Sequence, residues 1–244
     1  MSDTILRTEN LTKKFGELTA NDGIDLSVPA GEIRGIIGPN GAGKTTFFNT
    51  LTGFYDPTDG RVFLEDTDIT GWKPHKIARR GMGRTFQIVS PFKNMTVRQN
   101  LLAVDTPDEL DKSARADEIL EFLEIDHIAD NQARGMSGGQ QKLLDLGRVL
   151  MLDPKCVLLD EPTAGVNPAL EKRILDHIAT LNEQGTTFII IEHDMTVMRT
   201  IVDTVSVFDQ GRLIAEGTFD EVKTDDHVRN AYLGSADGEE GLPI

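Results

Sequence analysis

The stretch Gly38-Pro39-Asn40-Gly41-Ala42-Gly43-Lys44-Thr45 has the spacing of a phosphate-binding loop: two glycines, then lysine and a hydroxyl residue. Its glycines allow backbone N–H groups to turn inward around phosphate oxygens. A helix starting at its end adds positive potential. Lys44 is expected to reach the β- and γ-phosphates of a nucleoside triphosphate, Thr45 to ligate Mg²⁺ through its hydroxyl, and Thr46 to complete the nucleotide cradle. A second group, Cys156-Val157-Leu158-Leu159-Asp160-Glu161, is a Walker B pattern. Asp160 would hold Mg²⁺ through water, and Glu161 would polarise the attacking water as a general base. Read alone, an Asp-Glu pair after a core strand could equally be two surface acids. Pro162-Thr163 behind it and the phosphate loop ahead of it argue for chemistry.

The third group is Ser137-Gly138-Gly139-Gln140-Gln141-Lys142. Ser137 suits a helix start, and the glycines next to it expose backbone N–H groups to an anion. This stretch resembles the signature of ATP-binding cassette (ABC) ATPases. The resemblance implies that Ser137, Gly138, Gly139 and Gln140 contact the γ-phosphate of ATP held by a second subunit, so that two cassettes close head to tail over two nucleotides. It also implies roles for residues weak on their own. Gln87, in Arg84-Thr85-Phe86-Gln87, looks like the glutamine that senses Mg²⁺ and the γ-phosphate. His193 looks like the switch histidine on the γ-phosphate, and Phe15 like the aromatic that stacks on adenine, with a core phenylalanine as the competing reading. Asn167 stands in Ala164-Gly165-Val166-Asn167-Pro168 where the wider superfamily usually has aspartate, and Met136 replaces the usual leucine before the signature serine.

The resemblance spans about Ile5 to Gly234 and is similar in finer detail to one branch, the ATP-binding subunits of branched-chain amino-acid importers. Gly53-Phe54-Tyr55, Asp68-Ile69-Thr70-Gly71, Gly83-Arg84-Thr85-Phe86-Gln87, Ile191-Glu192-His193-Asp194-Met195 and Ala231-Tyr232-Leu233-Gly234 carry it. Cassettes for urea and for lipopolysaccharide export share several of these. The branch usually has a longer segment where this chain runs from Leu102 to Gln132, a surface that faces the membrane subunit in the family. The resemblance implies MgATP as ligand, permease subunits and a second cassette as direct partners, a substrate-binding protein as an indirect one, and a cytoplasmic place on the inner face of the cell membrane.

These groups need a frame that brings them together. Short β-branched runs alternate with helical patterns, which reads as α/β with a largely parallel sheet. Glu32 to Ile37, Cys156 to Leu159 and Thr187 to Ile191 are apolar runs suited to strands buried on both faces, each ending at a candidate site residue. A helix is expected from about Gly43 to Leu51. Ile5 to Leu11 and Ile24 to Val28 alternate and look antiparallel. Thr96 to Met151 contains almost no strand-like run; Thr106-Pro107-Asp108-Glu109 has a capping-box shape, followed by the apolar stripe Ile119, Leu120, Leu123 and Ile128. The expected fold is therefore that of a P-loop NTPase: a RecA-like core with a mostly parallel sheet, an N-terminal antiparallel β subdomain, and an inserted α-helical subdomain at about 88–151. One cassette would occupy 5–234, followed by a flexible acidic tail at 235–244.

Bulk properties narrow the function classes. The formal net charge of −15 repels phosphate backbones, which argues against nucleic acid as a partner. The single cysteine, Cys156, cannot form an internal disulfide and sits in a run that suits a buried small hydrophobe. The N-terminus has no signal-peptide pattern, and no run reaches the roughly 18 apolar residues of a membrane span. A soluble ABC ATPase remains the alternative to a transport motor. Repair members carry a long coiled-coil insertion and translation members usually two cassettes, neither of which this sequence shows. A P-loop kinase would leave the Ser137 motif without a purpose.

Overall fold

A computed structural model of the chain describes residues 4–85, 90–106 and 111–234. In chain order the elements are β1 (Thr4–Phe15), β2 (Leu18–Pro29), β3 (Ile33–Ile37), α1 (Lys44–Leu51), β4 (Asp59–Leu64), β5 (Thr67–Asp68), α2 (Pro74–Arg79), β6 (Met82–Arg84), α3 (Val97–Leu102), α4 (Lys112–Phe122), α5 (Gly138–Leu150), β7 (Cys156–Asp160), α6 (Pro168–Glu183), β8 (Thr187–Ile191), α7 (Met195–Ile201), β9 (Thr204–Asp209), β10 (Arg212–Gly217), α8 (Phe219–Thr224) and α9 (Asp226–Gly234).

Among the described residues the strands form two sheets. One has the order β10-β9-β3-β8-β7-β6, parallel from β9 to β6 with β10 antiparallel at its edge. The other, β2-β1-β4-β5, is antiparallel. The apolar runs become parallel strands because both their faces are covered. On β7 and β8, Val157, Leu159, Phe188 and Ile190 face a core shared with α3, α4, α5 and α6. Their alternates Cys156, Leu158, Ile189 and Ile191 face a second core with Phe47 and Phe48 of α1 and the antiparallel sheet. All five residues of each strand are buried. Burial also pushes the Cys156 thiol pKa up to about 12.

The N-terminal hairpin is longer than the alternation of its apolar residues suggests. Register shifts at Thr8/Leu11, Leu11/Lys13 and Lys13/Lys14 absorb polar residues without ending the ladder. Between 90 and 151 the described residues contain α3, α4, α5 and two short 3₁₀ turns, and no strand beyond one isolated bridge between Thr96 and Gln132. The expected stripe is present, with Ile119, Leu120 and Leu123 buried against Leu143, Leu144 and Leu146 of α5 and with Ile128 packed at the margin. The helix start expected at Thr106 falls on 107–110, outside the described residues. The described helix α4 is capped by Asp111, whose carboxylate accepts from the amides of Ser113 and Ala114. The tail 235–244 also lies outside the described residues. Among the described residues, no helix is long and apolar enough to cross a membrane.

Candidate functional site

The parallel sheet delivers three groups to one edge. The loop after β3 carries Gly38 to Lys44, the end of β7 carries Asp160 and Glu161, and the end of β8 carries His193. Because β8 lies between β3 and β7, the three meet outside the carboxyl ends of adjacent strands, where open α/β sheets bind ligands. A cleft of about 640 Å³ opens there, lined by residues 40–46, Phe15, Glu161, His193 and the turn Gln210-Gly211.

The antiparallel sheet and the β9–β10 turn hold the loop from behind. The buried Asn21 donates from Nδ2 to the Gly43 carbonyl at 3.1 Å, and the Gly211 amide donates to the Ala42 carbonyl at 3.1 Å. Gly43 takes a left-handed φ of 97° and forms the N-cap of α1 without any side-chain cap. A Cβ there would lie 2.4 Å from the Ala20 carbonyl oxygen, so only glycine fits. Lys44 Nζ donates to the Gly38 carbonyl and, at 3.0 Å, to that of Pro39. Burial lowers the Lys44 pKa, and the Glu161 and Asp160 carboxylates act in the opposite sense. Asn40, Gly41 and Thr45 are exposed, Thr46 is half-buried, and all four line the cleft with Ala42. Phe15 is 43 % exposed at the rim, where its ring meets Tyr55 edge-on at 5.2 Å. It is therefore not a core residue.

Glu161, the candidate base, has an unusual backbone, φ 50°. Non-glycine residues in that region are held by their surroundings at a cost of about 1–3 kcal/mol. The Glu161 amide donates to the Ile191 carbonyl at 2.9 Å, continuing the β7–β8 pairing one step past the strand. The side chain then turns into the cleft, with Oε1 3.0 Å from Nε2 of His193. Such a carboxylate can take a proton from water, and the imidazole can steady it or touch a phosphate oxygen. Asp160 is buried, and burial raises its pKa while the guanidinium of Arg84 opposes the rise. Gln87 falls in 86–89, outside the described residues.

Arg84 and Glu192 join the site without having been singled out for a role. Arg84 Nη2 donates to Asp160 Oδ2 at 3.1 Å, and its Nη1 donates to Asn49 Oδ1 at 2.7 Å, which ties α1 to β7. The buried carboxylate of Glu192 accepts the Thr163 hydroxyl at 2.9 Å and the His193 amide at 3.2 Å, so it joins the segments after β7 and β8. Their presence in Gly83-Arg84-Thr85-Phe86-Gln87 and Ile191-Glu192-His193-Asp194-Met195 was the available signal; the pairings join residues far apart in the chain.

The donor set fits Mg²⁺. Among the described residues no three His, Cys, Asp or Glu side chains form a metal cage. The Thr45 hydroxyl lines the cleft and the Asp160 carboxylate stands one residue before Glu161 at the end of β7, hard oxygens suited to a cation that keeps its waters and takes its other ligands from substrate phosphates.

The second glycine-rich helix start stands apart, and none of Ser137, Gly138, Gly139 and Gln140 lines the cleft. Ser137 and Gln140 form a reciprocal capping box: the Gln140 amide donates to Ser137 Oγ at 3.3 Å and the Ser137 amide to Gln140 Oε1 at 2.9 Å. Ser137 and Gly138 are exposed. A Cβ on Gly138 would meet nothing within 4 Å, whereas one on Gly139 would lie 1.8 Å from Cδ2 of Leu170 in α6. Gly138 therefore faces open space, while Gly139 serves helix packing.

Comparison with known proteins agrees with this geometry. The ABC transporter family matches residues 21–164, and a second family, described as branched-chain amino acid ATP-binding cassette transporter, matches residues 212–238. The chain is 41 % identical, over 96 % of its length and 97 % of the relative's, to a probable branched-chain amino acid transport ATP-binding protein, LivG, of Archaeoglobus fulgidus. Among solved structures it is similar to a nucleotide-free ATP-binding cassette from an ABC transporter, with a TM-score of 0.87 at 40 % identity over 94 % of this chain and 98 % of that one. A cassette in its ADP conformation is similar at a TM-score of 0.84, 41 % identical over 95 % of this chain and 99 % of that one.

Proposed function

The chain belongs to the ABC transporter family, as an ATP-binding and ATP-hydrolysing subunit, and on that premise we propose that it drives the import of branched-chain amino acids from the cytoplasmic face of a membrane. The observation that carries the motor reading is the division of the phosphate-binding apparatus. One cleft holds the phosphate loop, Glu161 and His193, while an exposed capped helix start at Ser137 offers N–H groups away from it. Two copies of the fold, or this chain and a related cassette, complete each other head to tail. The cargo assignment rests on the names of relatives, because the chain itself touches nucleotide and permease rather than cargo.

In this reading the amides of residues 38–46 and Lys44 bind the phosphates, and Phe15 stacks on adenine. Thr45, Asp160 and Gln87 would hold Mg²⁺, which would supply positive charge against the phosphate oxygens. Glu161 accepts a proton from water as its oxygen attacks the γ-phosphorus, and the bond to the bridging oxygen breaks to leave ADP and phosphate. His193 holds the Glu161 carboxylate and reaches the γ-phosphate. Ser137, Gly138, Gly139 and Gln140 close over the γ-phosphate bound by the partner cassette. Cassette closure moves the permease only to the extent that ATP favours the closed state. Residues 5–234 act as one cassette, with about 88–151 as the inserted helical subdomain, whose part from Leu102 to Gln132 faces the permease, and 235–244 as a flexible acidic tail.

The test is a mild-detergent pull-down of the tagged Glu161→Gln chain with MgATP from native membranes, with mass spectrometry of its companions. A multi-span permease, a second cassette and an amino-acid-binding protein are expected. A permease with a different binding protein removes the cargo assignment, and soluble companions alone remove the transport role.

A further inference from the structure

Glu161 is held at its carbonyl as well as its amide. Lys142, five residues past the Ser137 cap on α5, donates from Nζ to the Glu161 carbonyl oxygen at 2.7 Å. The Ala164 amide adds a longer contact to the same oxygen, at 3.3 Å. The lysine is half-buried; burial lowers its pKa, and the charges of Glu192 and Glu161 oppose the fall. It shares the wall of a small cavity behind the strand end with Thr85, Asp145, Asp160 and Glu161. A charged donor on a carbonyl makes a short, directional bond. Here it acts on a residue whose left-handed backbone persists only because its surroundings fix it. The same peptide sets where the carboxylate points and how it meets His193.

We propose that Lys142 is a positioning residue for hydrolysis: it ties the aim of the Glu161 carboxylate to the placement of α5. The consequence is a link between two nucleotides. The N-terminal end of α5 serves the ATP of the partner cassette, whereas Glu161 serves the ATP in this chain's own cleft. One side chain thus connects the two ends of the subunit's chemistry, and α5 in the wrong place leaves the base misdirected. The inference rests on the reading of Glu161 as the general base.

The test uses the full chain with MgATP and compares wild type, Lys142→Met, Lys142→Arg and Glu161→Gln. Lys142→Met keeps the length and removes the donor; its kcat is expected to fall about ten- to a hundred-fold, as a misplaced catalytic group does. Its KM and its affinity for ATP should stay within about three-fold, because Lys142 does not line the cleft. Lys142→Arg, which keeps a charged donor, should recover kcat to within about three-fold of wild type. Should Lys142→Met not fold, Lys142→Gln carries the same test, being one atom shorter and uncharged, and is expected to lower kcat in the same way. A kcat for the folded Met or Gln variant within two-fold of wild type overturns the proposal, as does a loss confined to ATP affinity. Measured together with the cassette that co-purifies with this chain where it does not act alone, a fully active Glu161→Gln overturns the reading of Glu161 and the proposal with it. A wild-type-like Lys142→Met beside an inactive Glu161→Gln removes the proposal alone.

Discussion

Two helices in this molecule begin in glycine-rich sequence, and they solve the start of a helix in opposite ways. At α1 the cap is a left-handed Gly43 with no side-chain acceptor, braced by Asn21 and faced by Lys44, Asp160 and Glu161. At α5 the cap is a serine–glutamine box that satisfies the helix end locally, and Gly138 beside it faces open space. Both ends present positive potential to an anion. The first is flanked by a lysine and carboxylates, while the second is an exposed surface whose residues Ser137 to Gln140 lie away from the cleft. On the proposed reading, a helix start that is finished as structure and unfinished as a site serves a nucleotide held by another subunit.

Alanine at the two glycine positions should expose this contrast most sharply. Gly43→Ala forces a Cβ against the Ala20 carbonyl oxygen at a left-handed φ, and a loss of at least about 2 kcal/mol in urea unfolding is expected. Gly138→Ala meets no atom and should unfold within about 0.5 kcal/mol of wild type while losing ATPase activity. Equal destabilisation at both would break the comparison. Removal of the cation at the first start comes next. Lys44→Ala should weaken ATP binding about 10- to 150-fold, the worth of a charged hydrogen bond, as read by titration with a fluorescent ATP analogue. Unchanged affinity would count against the phosphate loop. Smallest is the cap itself: Ser137→Ala should cost about 1 kcal/mol of stability in the same urea assay, with ATP affinity of the isolated chain untouched.

Legibility in the sequence followed how local each interaction is. The strands β3, β7 and β8 could be read because both of their faces are buried, which makes their runs continuously apolar, and each ends at a site residue. The phosphate loop and the Ser137–Gln140 box were readable because the backbone chemistry of a turn or cap is set within a few residues. The Arg84–Asp160 pair was not, since it joins β6 to β7 across 76 positions, and nothing near Arg84 names its partner. Glu192 looked like part of a strand end, and its bond to the Thr163 hydroxyl depends on the order of strands in the sheet. The start read at Thr106 falls on 107–110, outside the described residues, while the described helix α4 is closed by Asp111, whose carboxylate accepts from the amides of Ser113 and Ala114 just behind it.

The central claim is that the two helix starts complete one another between subunits. Analytical ultracentrifugation of Glu161→Gln, alone and with MgATP, tests it most directly, with and without the added substitution Ser137→Arg that fills the open face of α5. If this chain self-pairs, the account expects monomer without ATP, dimer with it, and monomer again once Ser137→Arg is present; if it pairs with a related cassette, that cassette must be supplied before the same pattern appears. A dimer that forms equally well with Ser137→Arg, or ATP held tightly with no dimer even beside the cassette that co-purifies with this chain, would contradict it.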